Sequence, residues 1–182
     1  MAVPPDFVAG SVLTAAQMNA IGLWLIKTQT IGSAVTTTTV TGAFSADYEN
    51  YRIVVAGGVS SANTGNNNFA LTLGSTTAAY YQSAQGATFA GAAAAANVSN
   101  GAAWTCGGQS TSSLNMVADI FRPFAADETA IAFSYVSMLT TGYGLTGAGY
   151  LNNTTSYTAF TITSLATTTH TGGTVYVYGY RD

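Results

Sequence analysis

The residues able to do chemistry are few and scattered along the chain. His170 is the only histidine and Cys106 the only cysteine. His170 lies in Thr167-Thr168-Thr169-His170-Thr171-Gly172-Gly173 and reads as a solvated turn residue ahead of a final apolar run. A serine hydrolase needs a base oriented by a carboxylate and set against a nucleophile. No Gly-x-Ser-x-Gly turn accompanies this histidine. A zinc centre gathers several His, Cys or carboxylate ligands, and one His and one Cys do not supply it. The lone cysteine can form no intrachain disulfide and reads as a small, semi-buried apolar side chain.

The acids are Asp47 with Glu49, Asp119, and Asp127 with Glu128. Paired carboxylates are the equipment of glycoside cleavage, but two of these sets fall at expected turns, where solvated acids are ordinary. Asp119 falls in an expected strand, within reach of Arg52 or Arg122. Calcium can use turn carboxylates, yet no EF-hand loop occurs. Gly142-Tyr143-Gly144-Leu145-Thr146-Gly147 lacks the lysine of a phosphate loop. The expectation is a chain with no catalytic residue, no metal and no cofactor.

Recognition chemistry is better represented. The chain holds 11 Tyr and 2 Trp among 182 residues, of which only 6% are charged against 48% hydrophobic. Soluble domains carry roughly 25% charge, so this surface must be covered by Thr, Ser, Asn, Gln, Tyr and Ala. Such a surface suits a subunit committed to neighbours. Tyrosine supplies apolar area and a hydroxyl at low entropic cost. Tyr143 and Tyr150, beside a glycine-rich stretch, are the candidate surface-recognition residues; the alternative is that they pack on the body or a neighbouring subunit. A formal charge of −3, with Lys27, Arg52, Arg122 and Arg181 as the cations, argues against nucleic acid and against an anionic membrane surface.

The length fits one domain plus a terminal extension, divided here as residues 1–30 and 31–182. The extension opens with Pro4-Pro5 and Gly10, then carries helix-start signals: Thr14 as N-cap, Gln17 closing a capping box, and Leu13 with Met18 as a hydrophobic staple. A helix is predicted over 15–26. Met18, Ile21 and Leu25 share one face with Trp24 beside them, and apolar groups cover most of the circumference. It is too short and too polar to span a bilayer, and no basic residue precedes it as in a secretory signal. Such a helix must be buried, either on its own domain or against a partner.

From Ile31 onward the pattern is of strands. Alternation is clear at Tyr51/Ile53/Val55, Phe69/Leu71/Leu73, Leu114/Met116/Ala118/Ile120 and Ile131/Phe133/Tyr135/Ser137/Leu139, and again at Phe160/Ile162 and Val175/Val177. With Ile31–Thr41 and Tyr80-Tyr81, about eight strands are predicted. Residues 57–68 read as a polar loop, 84–101 as a long loop or short edge strand, and 140–149 as a glycine-rich loop. Short strands separated by turn signals make an antiparallel β-sandwich or barrel.

Three stretches carry a resemblance. Phe7-Val8-Ala9-Gly10 followed by Val12-Leu13-Thr14-Ala15-Ala16-Gln17-Met18-Asn19 resembles the N-terminal motif of small tail-fibre, minor tail and other virion structural proteins of tailed bacteriophages. Asp47-Tyr48-Glu49-Asn50-Tyr51-Arg52-Ile53-Val54-Val55 is similar to their early core strand. Gly172-Gly173-Thr174-Val175-Tyr176-Val177-Tyr178-Gly179-Tyr180-Arg181 is similar to their closing strand. The resemblance favours a jelly roll with the single helix outside it. It implies a non-enzymatic virion protein, made in the host cytoplasm and assembled onto the particle. The expected role is a tail fibre or appendage that contributes to host attachment. The alternatives are a capsid decoration protein or, last, a surface-glycan hydrolase. The expected partners are further copies in a homotrimer, other virion proteins held through Phe7, Leu13, Met18, Ile21, Trp24 and Leu25, and a host surface glycan or protein. Neither nucleic acid nor membrane insertion is expected.

Overall fold

The computed structural model describes residues 22–63, 68–139 and 141–180. Among them there is no helix, and every strand pairing is antiparallel. The strands in chain order are β1 (Leu23–Thr30), β2 (Thr37–Val40), β3 (Asn50–Ala56), β4 (Val59–Ser60) and β5 (Asn68–Leu73). Then come β6 (Tyr80–Thr88), β7 (Ala93–Ala95), β8 (Val98–Gly101), β9 (Trp104–Gln109) and β10 (Leu114–Phe121). The chain closes with β11 (Thr129–Val136), β12 (Tyr143–Leu151), β13 (Phe160–Ser164), β14 (His170–Thr171) and β15 (Thr174–Tyr180).

Two runs of strands carry the body. One is ordered β1-β15-β3-β10-β11-β12-β6, with β7 and β8 both pairing β6; the other is β2-β13-β5-β9. They are linked where β9 turns into β10, with Leu114 opposite Gln109. A small ladder of β14 on β4 lies apart.

Period-2 alternation builds the core. Tyr51, Ile53 and Val55 of β3 are buried, as are Met116, Ala118 and Ile120 of β10 and Val175 and Val177 of β15. From the second run come Phe69, Leu71, Leu73, Phe160 and Ile162. All belong to one continuous apolar cluster. Two of its large polar-tipped members, Tyr80 and Trp104, are satisfied inside. The Tyr80 hydroxyl accepts from the Leu73 amide at 2.7 Å, and Trp104 donates its indole N–H to the Tyr81 carbonyl at 3.1 Å. The two rings meet edge to face with centroids 4.9 Å apart.

The structure corrects several expectations. Leu23–Ile26, the end of the predicted helix, belongs to strand β1, paired with β15 from Leu23 opposite Tyr180 to Thr30 opposite Thr174, with a bulge between Leu25 and Lys27. Ladder bonds to β15 override the helical pattern, and an edge strand with apolar residues on both faces mimics a helix apolar all round. The helix-start signals at Thr14–Met18, together with Phe7, Leu13, Met18 and Ile21, lie outside the described residues. Leu23–Thr30 thus belongs to the same sheet as β15 and β3.

Residues 143–151 form β12 rather than a loop. Its glycines make room: a Cβ on Gly147 would sit 2.6 Å from the Ala84 Cβ and 2.7 Å from the Phe133 ring. Gly107 in β9 does the same for Phe69, whose ring would lie 2.0 Å from an added Cβ. The stretch 84–101 contains the end of β6 and short strands β7 and β8, so its edge-strand reading holds.

Candidate functional site

His170 is fully buried, not a solvated turn residue. The turn chemistry around it places β14 against β4, with His170 opposite Ser60. Its ring packs edge to face on Phe69, with centroids 5.6 Å apart. Nε2 donates to the Gln109 Oε1 at 2.8 Å. Gln109 in turn donates to the Thr168 hydroxyl at 3.1 Å, and its Oε1 accepts from Ser164 at 3.2 Å. The tautomer with hydrogen on Nε2 leaves Nδ1 as a buried lone pair without a partner. Burial accordingly lowers the imidazole pKa to about 4, because a charged ring here would be desolvated with one N–H unmatched. Among the described residues no carboxylate bonds to this network. Gln109, Ser164, Thr168 and His170 form a polar knot inside the body.

Cys106 is also fully buried, deeper than the semi-buried position expected, with its sulfur 3.6 Å from that of Met116. Desolvation pushes its thiol pKa far up, which keeps it protonated and unreactive.

The acids are held by basic partners or stand at turns. Asp119 receives two hydrogen bonds from Arg52, Nε and Nη2 each at 2.8 Å, and a third from the Tyr180 hydroxyl at 2.6 Å. These bonds, those from Arg52 foremost, hold its carboxyl below the usual range. The Tyr180 phenol is pushed up to about 12, by burial first and then by the neighbouring carboxylate. At one end of the body Arg122 meets Asp127 at 2.7 Å and Glu49 at 3.5 Å. Asp47 caps its own turn through Ser45 at 2.9 Å. Among the described residues, no group of three His, Cys, Asp or Glu side chains is placed to hold a metal.

Tyr143 and Tyr150 are not brought together. They lie on opposite faces of β12. Tyr143 turns inward, donates its hydroxyl to Asn68 Oδ1 at 2.7 Å and packs on Tyr135. Tyr150 turns outward, 40% exposed, and stacks on Tyr81 of β6 with ring centroids 5.0 Å apart and 11° between planes. Of the expected anchors, Trp24 is half-buried on the inward side of β1, while Leu25 is 54% exposed on the outward side.

Tyr150 belongs to a larger surface. The outward faces of β15, β3, β10, β11, β12 and β6 form one open sheet face. Across it run the rows Val54-Val117-Ser134-Thr146 and Arg52-Asp119-Ala132-Ala148-Ser83. Val117, Phe121 and Val136, at 40%, 39% and 37% exposed, are open apolar side chains on it besides Tyr150. Its one charged pair, Arg52 with Asp119, is neutralised within the face. Two shallow depressions indent it. One of about 680 Å³ is bordered by Tyr81, Ser83, Ala148 and Tyr150, and one of about 360 Å³ by Val54, Val117, Ser134 and Thr146. The sequence marks this face only indirectly. The residues that alternate with the buried ones on β11 and β12 are uncharged: Ala130, Ala132, Ser134, Thr146 and Ala148.

Comparison of the chain with protein-family models, with curated proteins and with solved structures gives no match.

Proposed function

We propose that this chain is a non-enzymatic bacteriophage virion structural protein, a tail fibre or appendage that contributes to attachment at the host surface. It assembles as a homotrimer through its neutral faces and joins the particle through its N-terminal segment. The observation that carries this reading is the broad, uncharged, open face on a body whose histidine and cysteine are locked in the core. Such a surface is fitted to contact and offers nothing for catalysis. The resemblance adds to it. Its second and third stretches, far apart in sequence, lie side by side as β3 and β15, with Val175 opposite Val55 and Tyr178 opposite Arg52.

We also read the body as a jelly-roll sandwich. Take β1, β2, β3, β5, β9, β10, β13 and β15 and letter them B to I. The two sets β1-β15-β3-β10 and β2-β13-β5-β9 then read B-I-D-G and C-H-E-F, the order of two interleaved Greek keys. Of the remaining strands, β6–β8 and β11–β12 widen the first sheet, and β4 and β14 form their own small ladder.

The test is adsorption. Purified protein added to host cells should reduce adsorption of a phage that carries it, and particles lacking it should adsorb poorly. Particles that adsorb normally without it but lose their heads to heat or osmotic shock would overturn the attachment role in favour of capsid decoration. Release of oligosaccharide from host glycan by the purified protein would overturn the non-enzymatic reading.

A further inference from the structure

We infer that the open face of the long sheet, centred on Ala132 and Ala148, is buried against a second copy of this chain. The inference rests on the reading that the protein assembles through neutral faces, and it names the face.

Three observations select a copy of the chain over other occupants. The first is charge. The face carries one cation and one anion, already paired at 2.8 Å and bonded to Tyr180, so it presents no net field. A nucleic acid, an anionic membrane or an acidic partner would find nothing to pair with. A second neutral face meets it without leaving a charge unmatched. The second is size. Six strands at about 4.8 Å and seven residues at about 3.3 Å give a flat area of about 650 Å² before side-chain relief is added. A standard interface buries roughly 800 Å² per partner, so this face alone is of the right order. The third is relief. Small side chains at Ala132, Ser134 and Ala148 let two sheets approach, while the Tyr81–Tyr150 stack borders one depression and Val54, Val117 and Thr146 line the other. Of these side chains, Tyr81, Tyr150 and Phe121 are the aromatic type that interface centres enrich.

The experiment is light scattering after size-exclusion chromatography at micromolar concentration. It compares the full-length protein with the double variant Ser134→Glu, Ala148→Glu and with the control Thr37→Glu. All three positions are exposed in the chain described here, so the strands tolerate the change. The expected result is an oligomer for the parent and for Thr37→Glu. The double variant should show the mass of one chain, with an unchanged far-ultraviolet spectrum and cooperative melting. An oligomeric, folded double variant would overturn the assignment of this face while leaving assembly through another surface standing. A monomeric parent would overturn both. Should the double variant not fold, maleimide labelling decides instead. A thiol introduced by Ser83→Cys should react much more slowly than one introduced by Thr37→Cys, since native Cys106 is buried. Equal rates would overturn the proposal.

Discussion

Acid should loosen this protein through one side chain. His170 has its pKa lowered to about 4 from 6.5. Between these values the unfolded chain binds a proton that the folded chain refuses, so stability rises with pH across that window. The contribution is present in full above about pH 6.5 and is lost as the pH falls toward 4. At 1.36 kcal/mol per pKa unit, the loss across the window is about 3 kcal/mol. For a domain of this size that is a fall of roughly 6–12 °C in melting temperature. The contrast is His170→Gln, whose amide can still donate to Gln109 but cannot titrate.

Urea melts at about pH 7, 5.5 and 4.5 would show the effect as a falling midpoint for the parent. The variant should start lower, having lost ring packing against Phe69, and then change little over the same range. Asp119 does not confuse the result. Its carboxyl, held low by Arg52, adds stability that is present above the ordinary carboxylate pKa and lost only as the pH falls through its own lower value. Parallel pH profiles for parent and variant would refute the argument.

Two further outcomes follow from the packing. Gly147→Val should cost about 2–3 kcal/mol by overpacking the wall formed by Ala84 and Phe133, and adding Phe133→Leu should restore part of it; a double-mutant cycle in denaturant measures the coupling, and strict additivity would refute the contact. Cys106 should be silent to a thiol reagent in the native protein and react fully in denaturant, with a native rate that tracks unfolding; rapid native labelling would contradict its burial.

Much of the body was legible because alternation reports a half-buried strand directly. The buried residues of β3, β10, β11, β13 and β15 stand where period-2 patterning put them, and in β5 Asn68 and Ala70 are buried in addition to the alternating Phe69, Leu71 and Leu73. Strands β1, β9 and β12 are hidden from such patterning for related reasons, and the two-residue strands β4 and β14 are too short to show it. In β9 and β12 the inward positions include Gly107 and Gly147, which are empty because Phe69 and Phe133 fill the space from neighbouring strands. A glycine that accommodates another strand's ring looks like a loop glycine when only its own strand is read. In β1 the apolar residues fall on both faces, so no period distinguishes strand from helix, and only the pairing with β15 decides. His170 was misplaced because its setting of threonines and glycines looks solvated. Its partner Gln109 lies 61 residues away in sequence and is held in turn by Ser164, so the network that accepts it exists only in three dimensions. The open face was legible as a lack of charge, but not as one surface. Its rows assemble from strands whose order no local pattern contains.

The pairing of β1 with β15 also has a mechanical consequence. Leu23, the first residue of β1, lies opposite Tyr180, the last residue of β15, so these two strand ends sit at the same end of one antiparallel ladder. The hydrogen bonds of that ladder run across the strands. If the open face holds the body and the segment before Leu23 holds the particle, a pull along β1 strains all its bonds at once, in shear. A pull away from β15 opens them singly from Leu23, like a zip. The direction of load, more than its size, then decides how much tension this edge of the protein can bear.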